Sequence, residues 1–186
     1  MITCVALPSI ASADVTTYGT YEEWIENAGD VQEMTLAETE LSSGTFLTDQ
    51  LAHTGITFRE DDWVQLANGD YSGVRDDWII QNFNADVTMW IDFTAPITSV
   101  AVDTPQGSHS YQLWLGDTLV ADLPWTVFTF SGFVSDQPFD AIRIKRNAGG
   151  QQIAVDNLLY STIIPGPSGL TMIGIASLLG ARRRRH

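Results

Sequence analysis

A single cysteine, Cys4, stands in this chain of 186 residues, so no disulfide framework forms within it. Basic residues are almost as scarce. With the run Arg182–Arg185 set aside, five of the nine remain against 23 acidic residues, a formal charge of −18 where the whole chain carries −14. Such a body repels nucleic acid, because a phosphate backbone is held by clustered Lys and Arg that displace its counterions. It suits cations such as calcium, or plain solubility. The histidines, His53, His109 and His186, are scattered and read as loop or strand-edge residues. The chain has no H-E-x-x-H, no G-x-S-x-G, no phosphate-binding loop and no dinucleotide fingerprint, so zinc hydrolysis, triad chemistry and nucleotide chemistry lack their usual residues. Carboxylates abound, but adjacent pairs such as Glu22 and Glu23 say nothing about glycoside hydrolysis, which needs two acids at a fixed separation. The expectation is a protein that is not an enzyme.

What the chain does have is enough apolar (44%) and aromatic (10%) surface to bury the core of one domain. One helix is expected, over Tyr21 to Ala28. Thr20 and Glu23 have capping-box spacing, Tyr21, Trp24 and Ile25 make an apolar stripe, and Gly29 suits the end. Beyond it the period becomes two. "VTMWIDF" (87–93) alternates Val87, Met89, Ile91 and Phe93 with Thr88, Trp90 and Asp92, and "ITSVAVD", "HSYQLWL", "TLVADL", "TVFTFSGF", "FDAIRIK" and "IAVDNLLY" follow suit. Turn clusters separate them: Pro105-Gln106-Gly107, Gly116-Asp117, Ser135-Asp136-Gln137-Pro138 and Asn147-Ala148-Gly149-Gly150. Short strands without helical crossovers predict an all-β fold, an antiparallel β-sandwich of jelly-roll type. The stretch Arg59 to Asn84 is the least regular and reads as a long loop excursion with a strand or two of its own.

The two ends read as addresses. Residues 1–13 carry an apolar run followed by Ala11-Ser12-Ala13, the small-residue pattern at which signal peptides are cut. No Lys or Arg precedes the run: either the start lies upstream of Met1, or the segment is an ordinary buried one. Residues 14–33 form a helical lead-in and 34–162 the sandwich. Residues 163–186 place a small-residue apolar segment against Arg182, Arg183, Arg184 and Arg185. From Ile163 to Ala181 a helix would reach ~28 Å, close to the ~30 Å bilayer core, although Pro165, Gly166 and Pro167 interrupt it. Arginines flush against an apolar stretch hold that end in the cytoplasm, with the acidic body outside.

A Pro-containing motif, an apolar helix and a terminal Arg cluster together resemble the PEP-CTERM sorting signal of bacterial exported proteins. Here the motif is Pro165-Gly166-Pro167, with Gly where that family has Glu. The resemblance implies processing by an exosortase-type membrane enzyme, passage through the bacterial membrane by the C-terminal helix, and delivery to the cell surface or exopolysaccharide matrix. It extends into the body, where "YEEWIENAGDVQEMTLAETELSSGTFLTDQLAHTGITF" and "SDQPFDAIRIKRNAGGQQIAVDNLLY" are similar to the opening and closing strands of lectin-like sandwiches of that family.

That resemblance sets the opening and closing strands side by side, and so nominates Glu38, Glu40, Asp156 and Asn157 as oxygen ligands for calcium, which takes ~6–8 of them. Read as plain strand residues, the same four face solvent. Asp61, Asp62, Asp70, Asp76 and Asp77 offer a second such site, though a solvated acidic loop explains them more simply. Sugar-binding sites stack pyranose faces on Trp or Tyr, which nominates Trp63, Tyr71, Trp78 and Trp90; tryptophans in a small sandwich also serve as core filler. The expected function is an exported, non-catalytic surface or matrix protein binding polysaccharide with calcium support. Its rivals are a small extracellular hydrolase acting on polysaccharide and a purely structural matrix component.

Overall fold

The computed structural model describes residues 13–34, 40–68, 78–82, 88–105, 108–126, 129–146 and 153–161. Residues 1–12 and the sorting segment, with Pro165, Gly166, Pro167 and Arg182–Arg185, lie outside them. Among the described residues no helix is long and apolar enough to cross a membrane.

The chain is mostly antiparallel β-sheet. Among the described residues the one α-helix, α1 (Tyr21–Ala28), has the expected bounds: Thr20 caps it by accepting from the Glu23 N–H, and Gly29 ends it at φ 83°. Two short strands flank the helix, so the lead-in is woven into the sheet. β1 (Val15–Tyr18) pairs with β9 (Phe130–Arg146). β2 (Val31–Met34) pairs with β11 (Leu158–Ser161), which brings the opening and closing strands together.

The two longest strands are longer than their sequence pattern implies. β6 (Thr88–Asp103) fuses "VTMWIDF" with "ITSVAVD", and β9 runs straight through the expected Ser135–Pro138 turn. They pair with each other along both halves, with register shifts between Asp92 and Ser99 that leave Pro96 and Pro138 in the unmatched stretches. Proline lacks the N–H that a ladder needs and is tolerated at bulges; here it bends a strand without ending it. Each half then takes different neighbours. The first half of β6 pairs with β3 (Ile56–Thr57), and the second half of β9 with β7 (His109–Leu115), followed by β8 (Thr118–Thr126). The second half of β6 pairs with β11. The β7–β8 hairpin closes on Gly116-Asp117, with Gly116 at φ 53°, the first-position glycine that a type II′ turn requires.

A smaller sheet, β4 (Val64–Asn68), β5 (Trp78–Asn82) and β10 (Ala154–Val155), covers one face. β4 and β5 are the strands expected inside the irregular stretch. "IAVDNLLY" thus divides between two sheets at Asp156-Asn157. The main core lies where the sheets meet, built from Val64, Leu66 and Ile80 of the small sheet against Met89, Ile91, Val100 and Ile142 of the large one. A second cluster lies on the opposite face, where Trp24 and Ala28 of α1 pack on Ala101, Phe130 and Leu159. The Ser99 hydroxyl donates to the Ala28 carbonyl at 2.8 Å, satisfying a helix-end acceptor that burial would otherwise strand.

Candidate functional site

The segment after β3 is held to the first half of β6 by two acids. Arg59 donates from Nε and Nη2 to Asp92 Oδ2 and Oδ1 at 3.0 and 2.9 Å, a two-pronged pairing with good geometry. Its guanidinium carbon lies 3.6 Å from the centre of the Trp90 ring, within cation–π range. The Asp92 bond first, then the negative charges of Asp92, Asp62 and Asp61, raise the Arg59 pKa above its ordinary value against the opposing effect of burial. Three residues on, at the end of the 3-10 turn Glu60–Asp62, Asp62 Oδ2 accepts from the Trp90 N–H at 2.6 Å. Burial pushes the Asp62 carboxyl up to about 6, against the pull of that N–H bond.

Pinned on this side, the chain turns outward at Trp63. Trp63 has φ 51° and is the one non-glycine residue with positive φ among the described residues, a left-handed backbone that costs a bulky residue roughly 1–3 kcal/mol. The indole is displayed to solvent at 56% exposure and meets Phe46, itself 48% exposed, edge to face with ring centres 5.6 Å apart. Phe46 is set there because residues 44–47 run beside β4: Leu47 N–H bonds Val64 O at 2.8 Å and Leu66 N–H bonds Thr45 O at 2.9 Å. Phe46, Thr48, Glu60 and Trp63 line an open cleft of about 250 Å³. An exposed ring, a hydroxyl and a carboxylate in one shallow cleft can stack an apolar sugar face and orient its hydroxyls.

The other nominated aromatics are placed differently. Trp90 points away from the buried Met89 and Ile91, as its alternation implies, but Arg59 occupies its ring, Arg143 lies 5.2 Å away and Trp114 5.5 Å away. Trp78 opens β5 and packs half-buried against the main core. Tyr71 lies outside the described residues.

Of the nominated calcium ligands, Asp156 and Asn157 come together with Asp103, a residue the sequence pattern did not single out. Asn157 Nδ2 donates to Asp103 Oδ2 at 3.0 Å and to Asp156 Oδ2 at 3.4 Å. An amide donor thus sits between the two carboxylates, where a cation would otherwise answer their charge. Glu40 is exposed in the irregular stretch before β4, and Glu38 lies outside the described residues. Among the described residues no group of three or more His, Cys, Asp or Glu is arranged to hold a metal ion.

A larger cleft, about 320 Å³, opens at the β6 bend between Gln32, His53, Thr94 and Tyr160. The Tyr160 hydroxyl there is committed to the Thr54 carbonyl. His109, read as a strand-edge residue, is instead buried in β7, and desolvation lowers its pKa to about 4.

No protein-family model matches the chain, and no curated protein does. Among solved structures, a mutant of a family 29 carbohydrate-binding module is similar over 58% of this chain and 77% of its own, at 16% identity and a TM-score of 0.36. Likeness at that level leaves the function to be argued from this chain's own residues.

Proposed function

We propose that this is an exported, non-catalytic protein of the bacterial cell surface or extracellular matrix, a jelly-roll-type sandwich that binds carbohydrate through the Phe46–Trp63 cleft. The observation that carries the reading is Trp63 itself. A large aromatic is held in a strained backbone and shown to solvent beside Phe46, where folding alone would bury it or replace it. Export and sorting rest on the sequence pattern of the tail, an apolar segment stopped by Arg182–Arg185 and handled by an exosortase-type enzyme at the membrane. Calcium is left out, because the Asp103–Asp156 pair is already bridged by an amide.

A glycan array on the full chain tests the binding. Trp63→Ala should lose at least about tenfold in affinity for the neutral glycans that the unaltered protein selects, the scale expected when a stacking aromatic is truncated at the centre of a site. A chelator should leave that affinity unchanged. Full retention of affinity in Trp63→Ala refutes the cleft. Intact-mass measurement of the protein from its native host tests the address: loss of the residues beyond Pro165-Gly166-Pro167 is expected, and a cytoplasmic product with its Arg block intact is incompatible with it.

One observation favours the hydrolase. Asp62, whose chain neighbour Trp63 lines the cleft, has a carboxyl raised to about 6 by burial, the form that a general acid takes. Turnover of a bound glycan with a pH limb near 6, abolished by Asp62→Asn, would establish that reading over the binding one.

A further inference from the structure

Facing away from the core, the first half of β6 and its neighbours β9, β7 and β8 present a continuous polar and aromatic surface. Strand register sets its rows. Trp90, Arg143, Gln112 and Asp122 stand on adjacent strands in one row, and Lys145 with Ser110 in the next. The alternate residues of the same strands, Met89, Ile91, Ile142, Ile144, Tyr111 and Leu113, are fully buried on the other side, so this face is not needed for the core.

Three features of it are unaccounted for by folding. Gln112 is 94% buried yet its Oε1 has no hydrogen-bond partner, and the same holds for Trp114 Nε1 and Arg143 Nε beside it; such groups ordinarily find partners. Next, of the five basic residues before the tail, Arg143, Lys145 and Arg146 fall within four positions of β9. Among the described residues no carboxylate lies within ion-pair distance of Arg143 or Lys145. Finally, an open cleft of about 420 Å³ lies over Ser110, Asp122 and Lys145.

We infer that this outer face is a second binding surface whose ligand is an acidic saccharide, a uronate-bearing chain. Its carboxylate is held by Arg143 and Lys145. Sugar hydroxyls, each both donor and acceptor, supply a donor to Gln112 Oε1 and acceptors to Trp114 Nε1. A neutral glycan would leave the two cations without a carboxylate, and a polyanion without hydroxyls would bring no hydroxyl donor to Gln112 Oε1. Entry from the cleft over Ser110 requires the buried Trp114 Nε1 and Arg143 Nε to turn toward the ligand. The surface shares no contact residue with the Phe46–Trp63 cleft, so the two can fail separately.

The test is calorimetric titration of the full chain with oligogalacturonate, oligomannuronate and oligoglucuronate, each beside its carboxyl-reduced counterpart, and with polyglutamate. At least one uronate should bind. Its reduced form and polyglutamate should bind at least about tenfold more weakly, the difference that a charge-assisted hydrogen bond makes. Affinity should fall between about 50 and about 300 mM salt as the exposed cations are screened. Arg143→Gln should cost about tenfold and Lys145→Gln a smaller factor, while Trp63→Ala leaves uronate affinity untouched. Arg143 is half-buried, so if Arg143→Gln lowers the melting temperature markedly, Lys145→Gln decides. Absence of binding by all three uronates, equal binding by a reduced form or by polyglutamate, or unchanged affinity in both charge variants overturns the proposal.

Discussion

Trp24 and Trp63 are the same residue in opposite employment. Trp24 lies in α1 against the bent β6–β9 pair and Trp63 follows the 3-10 turn that is bonded to β6, yet Trp24 is fully buried and Trp63 is 56% exposed. The difference lies in what faces each ring. Opposite Trp24 the sheet carries Gly132, where a Cβ would come within 2.6 Å of the indole Cδ1, and the Phe133 carbonyl accepts from the indole N–H at 3.3 Å. The sheet has been hollowed and wired to receive it. Around Trp63 the backbone is twisted to push the ring out, and its neighbour Phe46 is exposed as well. Burial is the ordinary fate of an indole, so it is the displayed one that the proposed carbohydrate site uses.

Truncation separates the two most sharply. Trp24→Ala should destabilise the protein by about 3–5 kcal/mol, the range for removing a buried aromatic, because it empties the contact between α1 and the sheet. Trp63→Ala should leave denaturant stability within about 0.5 kcal/mol, the ordinary range for a surface substitution, while abolishing binding in the cleft. Chemical denaturation of both variants checks this; a large stability loss in Trp63→Ala would make that ring a structural prop.

The hollow itself comes next. Gly132→Ala should cost about 1–3 kcal/mol through overpacking against Trp24, measured as a lower denaturation midpoint with an unchanged slope. On the other side, Trp63→Gly removes a side chain from a left-handed backbone that glycine adopts freely, so it should not destabilise in spite of the larger truncation. The sign of the effect thus distinguishes a site shaped for burial from one shaped for display.

Much of the buried side was legible in the sequence and much of the displayed side was not. Thr20, Glu23, the Tyr21–Trp24–Ile25 stripe and Gly29 act within a few residues of one another, and helix signals of that kind transfer directly to structure. The outward direction of Trp90 followed from alternation alone, and the same count would have placed Gln112 and Trp114 beside it on "HSYQLWL". Pro96 and Pro138 misled for a physical reason: the residues that end a strand are also those that bend one at a bulge. The cleft escaped because its anchors are distant in sequence. Arg59 reaches Asp92 across 33 positions and Asp62 reaches Trp90 across 28, and no local pattern announces the left-handed turn they enforce. Likewise Asp103 joined Asp156 and Asn157 through strand pairing that sequence order does not reveal.

The anchors themselves give a smaller expected effect. Arg59→Met keeps the apolar stem but loses the Asp92 pair and the stacking charge. Both partners are partly solvent-exposed, so the stability loss should be about 1 kcal/mol or less. Binding in the cleft should fall more than stability does, because Trp63 is positioned from this turn. Equal affinity in Arg59→Met would mean that the Asp62–Trp90 bond holds the turn alone.

The smallest effect is a pH dependence, and it belongs to Asp62. Its carboxyl is raised from 3.8 to about 6 in the folded protein, chiefly by burial, so the native state holds the proton more tightly than the unfolded chain. The stability this confers is therefore complete below about 4 and is lost as pH rises through about 6. His109, lowered to about 4 by burial and by Arg146, slopes the other way, removing stability as pH falls from its ordinary 6.5. Asp62→Asn isolates the first group, since the amide stays neutral and its carbonyl can still accept from the Trp90 N–H, while His109 is common to both proteins and cancels in their difference. The stability of Asp62→Asn relative to the unaltered chain should rise from pH 4 to about 6 and then level off, by a modest amount because Asp62 is only half-buried. A difference that is flat with pH would show that the carboxylate at the root of the displayed turn is as well solvated as an ordinary surface acid.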